Sequence, residues 1–119
     1  MTKILTGGVG KTEVAQTVTA MALDGIEAVV SNDMDAAMKL RAGQAQYYLG
    51  TCHTGAGASL GVLVGLMGKK ACHTFGRSVP TEDEVTALLD DGIKVFGFSM
   101  DQIDSVAPVI TRAIAAKNN

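Results

Sequence analysis

The sequence predicts an α/β fold: a single three-layer domain over residues 1–119, with a five-stranded, mostly parallel, Rossmann-like sheet. Three observations predict it. Short β-type runs alternate five times with helical stretches. The connections between them are short, as in right-handed crossover units. Two of the runs, "AVV" (28–30) and "VFGF" (95–98), are apolar throughout, as strands covered on both faces should be.

"KIL" (3–5) opens as a strand, and "TGGVG" turns. Residues 11–23 place Val14, Val18 and Met21 on one helical face, and Gly25 ends that helix. "IEAVVS" (26–31) is the second strand. Asn32 and Asp33 are good N-cap residues for the next helix, which stops at Gly43. "QYYLGT" (46–51) is the third strand, and a glycine-rich loop leads into a helix over 58–68. "KACHTF" (70–75) is the fourth strand. Thr81 with Glu84 fits a capping box for a helix over 82–90. "IKVFGFS" (93–99) is the fifth strand, and the last helix covers 101–116. Pro108 inside it predicts a kink or a later start.

Composition narrows the function classes. Hydrophobic residues make up 47% of the chain and aromatics only 4%, so the core must be aliphatic. The net charge is −2 with no basic stripe, which argues against a nucleic-acid partner. The longest apolar run, near 60–67, is far short of a bilayer span, so no membrane partner is expected. No signal-like segment opens the chain, and its two cysteines make no disulfide framework. A cytoplasmic protein with reduced thiols is the expectation.

In open α/β sheets, ligands bind beyond the carboxyl ends of the strands. The segment "LGTCHTGAGASLG" (49–61) occupies such an end. A helix N-terminus offers free N–H groups and the positive end of its dipole. Thr54, Gly55, Ala56, Gly57 and Ser59 are therefore the expected cradle for a small anionic metabolite. The plainer reading is a tight turn that binds nothing. Cys52 is the candidate base or nucleophile, and His53 or His73 the candidate acid.

The pattern C-x-T-G-x-G-x-S, here Cys52, Thr54, Gly55, Gly57 and Ser59, resembles the site loop of B-type ribose-5-phosphate isomerases. The related galactose-6-phosphate isomerase subunits share it less completely. The resemblance implies that Cys52 moves a proton between two carbons, while the following amides and hydroxyl hold the enediolate oxygen. A thiol at a helix N-terminus suits that role, and amides stabilise a developing oxyanion. The family's Asp-His pair after the first strand is replaced here by Thr6-Gly7-Gly8-Val9, and Arg77 is the only loop arginine near the crevice. Along nearly its whole length the chain resembles the YhfU-like bacterial proteins. "NDMDAAMKLRAGQAQYYLGTCHTGAGA", "VPTEDEV", "FGFSMDQID" and part of "GGVGKTEV" carry that likeness. It implies no particular activity.

"GGVGKT" (7–12) looks like the end of a P-loop, but the first glycine of G-x-x-x-x-G-K-[ST] is Leu5 here. A dinucleotide fingerprint fails as well, at Glu13. No nucleotide cofactor is implied. Gly8, Gly10 and Lys11 remain candidates for helping to hold the anion. Cys52, His53, Cys72 and His73 lack zinc spacing, so no metal is expected. The repeated Cys-His-Thr at 52–54 and 72–74 raises the question of proximity in space. Asp33 and Asp101 fit as helix caps, and Asp33 could also meet a ligand hydroxyl from the same sheet edge.

The enzyme reading is isomerase-like proton transfer. The rival is a non-catalytic metabolite sensor or an accessory subunit of a partner enzyme. The uncharged helix 58–68 has apolar residues all round and glycines at 61 and 65, which predicts a homodimer or larger assembly.

Overall fold

The computed structural model describes residues 1–55 and 60–118. In chain order the elements are β1 (Thr2–Gly8), α1 (Lys11–Ala20), β2 (Ile26–Val30), α2 (Asp33–Arg41), β3 (Tyr47–Cys52), α3 (Gly61–Met67), β4 (Cys72–Thr74), α4 (Glu82–Asp90), β5 (Val95–Ser99) and α5 (Ile103–Asn118). Short 3₁₀ turns precede β4 and α5. All five strands are parallel, in the order β2-β1-β3-β5-β4.

Two apolar clusters define the layers. On one face Val14 and Val18 of α1, Val85 and Leu89 of α4, and Val106, Ile110 and Ile114 of α5 pack on Ile4, Leu49, Phe96 and Phe98. On the other, Ala36, Ala37 and Leu40 of α2, with Leu60 and Leu63 beside and within α3, pack on Leu5, Tyr48 and Val95. The period of two along each strand divides these residues between the faces. Phe96 and Phe98 serve one face because they are two apart. Despite the low aromatic content, Tyr48, Phe96 and Phe98 are the largest fully buried side chains.

Several boundaries differ from the sequence reading, for local reasons. β1 does not stop at Leu5. Thr6, Gly7 and Gly8 continue it, pairing with Leu49, Gly50 and Thr51 of β3, so the turn is only Val9-Gly10. α1 ends at Ala20, because Ala22 adopts φ +51° and turns the chain before Gly25. Asn32, not Asp33, caps α2: its Oδ1 accepts the Asp35 N–H at 2.8 Å, and Asp33 is the first helical residue. Asp101 lies in the 3₁₀ turn before α5 rather than at a cap. α5 runs continuously through Pro108, its sixth residue. The Thr81–Glu84 capping box is present as the spacing implies.

Candidate functional site

The topology sets the location. From β1 the chain leaves through α1 on one face to β2. From neighbouring β3 it leaves through α3 on the opposite face towards β4. Two adjacent strands whose connections diverge leave a crevice beyond their carboxyl ends. The ends of β1 and β3 flank it.

Cys52, the last residue of β3, points to the α2/α3 face, two residues beyond Gly50 and four beyond Tyr48. Its sulfur accepts the Gly55 N–H at 3.0 Å. His53 is exposed, and its carbonyl accepts the Ser99 hydroxyl at 3.2 Å. Thr54 is exposed beside it. Gly55 has φ +72°, and a Cβ there would overlap the Gly76 carbonyl of the β4–α4 loop. That backbone contact accounts for glycine at 55. Ala56, Gly57 and Ser59 of the expected cradle lie outside the described residues.

The β1–α1 turn is tied to β3. The Thr51 carbonyl accepts the Val9 N–H at 3.1 Å, and the Thr51 hydroxyl accepts the Gly10 N–H at 2.7 Å. Gly8 takes φ +84°, and a Cβ there would meet the Thr51 backbone. Gly10 is buried against Ile103, its amide already engaged. Gly8 and Lys11, by contrast, line an open pocket of about 270 Å³ with Ser31, Asn32, Asp33 and Tyr48.

This pocket lies between the ends of β1 and β2, with the first turns of α1 and α2 opening onto it. Ser31 is committed elsewhere: its hydroxyl donates to Asp35 at 2.6 Å. That bond, followed by Lys39, holds the Asp35 carboxyl below the usual carboxylate range. Tyr48 was not a sequence candidate. Its residue is fully buried, and its hydroxyl has no hydrogen-bond partner among the described residues. Burial, then the nearby Asp33 charge, push its phenol up to about 12. It is a neutral donor at physiological pH. The strand period could have placed it on the α2/α3 face, but nothing in the sequence says that it would lie unpartnered.

His73 stands apart. It is in mid-strand register with Phe96, whereas Cys52 is in register with Ser99, on the far side of β5. Two strand spacings and three residues of rise separate them by roughly 14 Å. His73 also packs edge-on against Phe75, towards the other face. The two Cys-His-Thr segments are therefore not brought together. Cys72 bonds the Gly68 carbonyl at 3.6 Å, and burial pushes its thiol up. Arg77 faces Asp101 at 3.7 Å, and Asp101 also accepts the Ser99 hydroxyl. Among the described residues no three His, Cys, Asp or Glu side chains gather as a metal site. No helix there is long and apolar enough to cross a membrane.

Fold and crevice define a Rossmann-like α/β protein with a glycine-lined switch point. Over residues 2–114 the chain matches the family described as Protein of unknown function DUF2620, and it belongs to that family. It is 33% identical over 112 residues to "Uncharacterized protein YhfU" of Escherichia coli K12, covering 92% of this chain and 96% of that one. The Shigella flexneri protein of the same name matches equally. Among solved structures, the type B ribose 5-phosphate isomerase of Trypanosoma brucei superposes with a TM-score of 0.65 at 12% identity, over 96% of this chain and 86% of that one. Ribose-5-phosphate isomerase B of Giardia lamblia gives 0.63 at 15% identity, over 95% and 92%. At such identities the likeness is one of fold.

Proposed function

We propose that this protein binds a small anionic metabolite, phosphorylated or carboxylated, at the β1/β3 crevice, and that Cys52 serves there as a proton-transfer base. The observation that carries the reading is the Gly55 N–H donated to the Cys52 sulfur at the switch point. A hydrogen bond donated to a group favours its charged form, here the thiolate. The match of Cys52, Thr54, Gly55, Gly57 and Ser59 to the isomerase loop supports it, as does the fold shared with type B ribose 5-phosphate isomerases.

In the proposed step the thiolate takes the proton from a carbon next to a carbonyl. The C–H electron pair becomes the enediolate double bond, and the carbonyl oxygen gains the charge. Donors of the 54–59 loop hold that oxyanion. The proton then returns to the former carbonyl carbon. His53 is the histidine left to move the hydroxyl proton, because His73 lies on another strand. Lys11 and Asp33 orient the substrate's remainder from the neighbouring pocket. The distance of His73 favours the second reading, binding without turnover in a sensor or accessory subunit. The exposed face of α3 that carries Gly61, Val64 and Gly65 supports a homodimer for either reading.

Calorimetric titration of ribose 5-phosphate and inorganic phosphate into wild type and Gly57→Val tests the site. Binding by wild type that is lost in the variant is expected. Unchanged binding would remove the loop from the site. Ribose 5-phosphate recovered wholly as the aldose, with no ketose formed despite tight binding, would leave the sensor reading.

A further inference from the structure

The strongest unexplained feature is the Tyr48 hydroxyl. A buried phenol without a partner costs stability, so native proteins rarely keep one without a reason. Its position is over-determined. Tyr48 is in register with Leu5 on β3's neighbour β1, and its hydroxyl reaches forward to the α-carbon of Gly7. A Cβ on Gly7 would sit on the phenol oxygen. The missing side chain of Gly7 thus leaves the trough in which the ring lies. Tyr48 lines the wall of the 270 Å³ pocket with its hydroxyl buried and unpartnered, and Lys11, Asn32 and Asp33 line the same pocket.

The chemistry of these groups is specific. Lys11 makes no ion pair among the described residues. Asn32 uses Oδ1 as the α2 cap, which leaves its amide hydrogens as donors. Tyr48 is held protonated, so its hydroxyl is an unused donor. The first turns of α1 and α2 add positive dipole ends. Asp33 is the one anionic acceptor lining the pocket. Donors and a cation thus surround a single acceptor, in a space nearly twice the 150 Å³ or so that holds benzene.

The geometry points to this pocket as a subsite for a hydroxylated oxyanion, with Tyr48 and Lys11 on the charged oxygens and Asp33 accepting from a ligand hydroxyl. The inference deepens the proposed metabolite site, because one ligand can reach both parts. Gly7 is in register with Gly50, and Cys52 follows two residues later on the same face. The separation is roughly 8 Å, the length of a short extended metabolite.

The test uses four probes by calorimetry: inorganic phosphate, D-gluconate, D-ribose 5-phosphate and uncharged ribitol. Wild type, Tyr48→Phe and Gly57→Val are compared, and the melting temperature of each is taken without ligand. We expect gluconate or ribose 5-phosphate to bind more tightly than both phosphate and ribitol, and the preferred one names the oxyanion. Tyr48→Phe should weaken that binding about tenfold or more, the loss of a hydrogen bond to a charged group. The same variant should melt no lower than wild type, because it deletes an unpartnered polar atom. Weakening in Tyr48→Phe but not in Gly57→Val would uphold the subsite and remove the 54–59 loop. The reverse pattern would overturn the subsite and leave the loop. A lower melting temperature for Tyr48→Phe would mean that its hydroxyl is already satisfied, and would overturn the inference. Failure of all four probes to bind wild type would overturn both.

Discussion

The hydroxyl of Tyr48 lies against the α-carbon of Gly7, on the strand beside its own. The absence of one methyl group therefore decides where a buried polar atom points. Gly7→Ala should destabilise the protein by about 1–3 kcal/mol, since the added carbon forces the ring from its trough. Chemical denaturation checks this. Tyr48→Phe in the Gly7→Ala background should recover only part of the loss, because the ring carbons Cζ and Cε2 would also lie 2.8 and 2.9 Å from the new Cβ.

The two thiols should differ. Cys52 accepts a backbone N–H beside a crevice, whereas burial pushes the Cys72 thiol up. Alkylation at neutral pH, followed by mass spectrometry, should label Cys52 several-fold faster. Equal and slow labelling would make Cys52 an ordinary core residue and remove the proposed base.

Alkaline pH offers a separate handle on Tyr48. Its folded value is about 12, against 10 for the unfolded chain. Between these values the folded state holds the proton more tightly, so stability is intact below pH 10 and falls as pH rises through 10–12. Two units correspond to about 3 kcal/mol at most. Tyr48→Phe should flatten that limb of the stability profile.

The proposed dimer can be tested on α3. Leu63 is fully buried within its own chain, so a charge there would damage the fold rather than an interface. Gly65 is exposed, and a side chain there would meet nothing within 4 Å. Gly65→Glu should keep the fold and convert the proposed dimer to a monomer by sedimentation at micromolar concentration. A monomeric wild type would show that α3 needs no cover.

The layered fold was legible because apolar period and turn chemistry agree along most of the chain. The Thr81–Glu84 box is wholly local and appears where the spacing puts it. Boundaries failed where tertiary pairing won. Thr6-Gly7-Gly8 has turn composition, yet pairing with β3 makes it strand. Ala22 has no sequence mark of a positive φ, so nothing in the sequence ends α1 before Gly25. Of the candidate site, the closeness of Cys52 and Gly55 was readable because one short motif holds both. His73 was not, since strand order decides its distance from Cys52 and a sequence does not print strand order. Tyr48 escaped for the same reason: its meaning depends on Gly7, forty-one positions away.

The most direct measurement is amide chemical-shift mapping of the labelled protein titrated with ribose 5-phosphate and with inorganic phosphate. Saturable shifts should cluster at Gly8, Lys11, Asp33, Cys52 and Gly55, along the carboxyl ends of β1, β2 and β3. Shifts confined to the opposite sheet edge, or none with either compound, would contradict it.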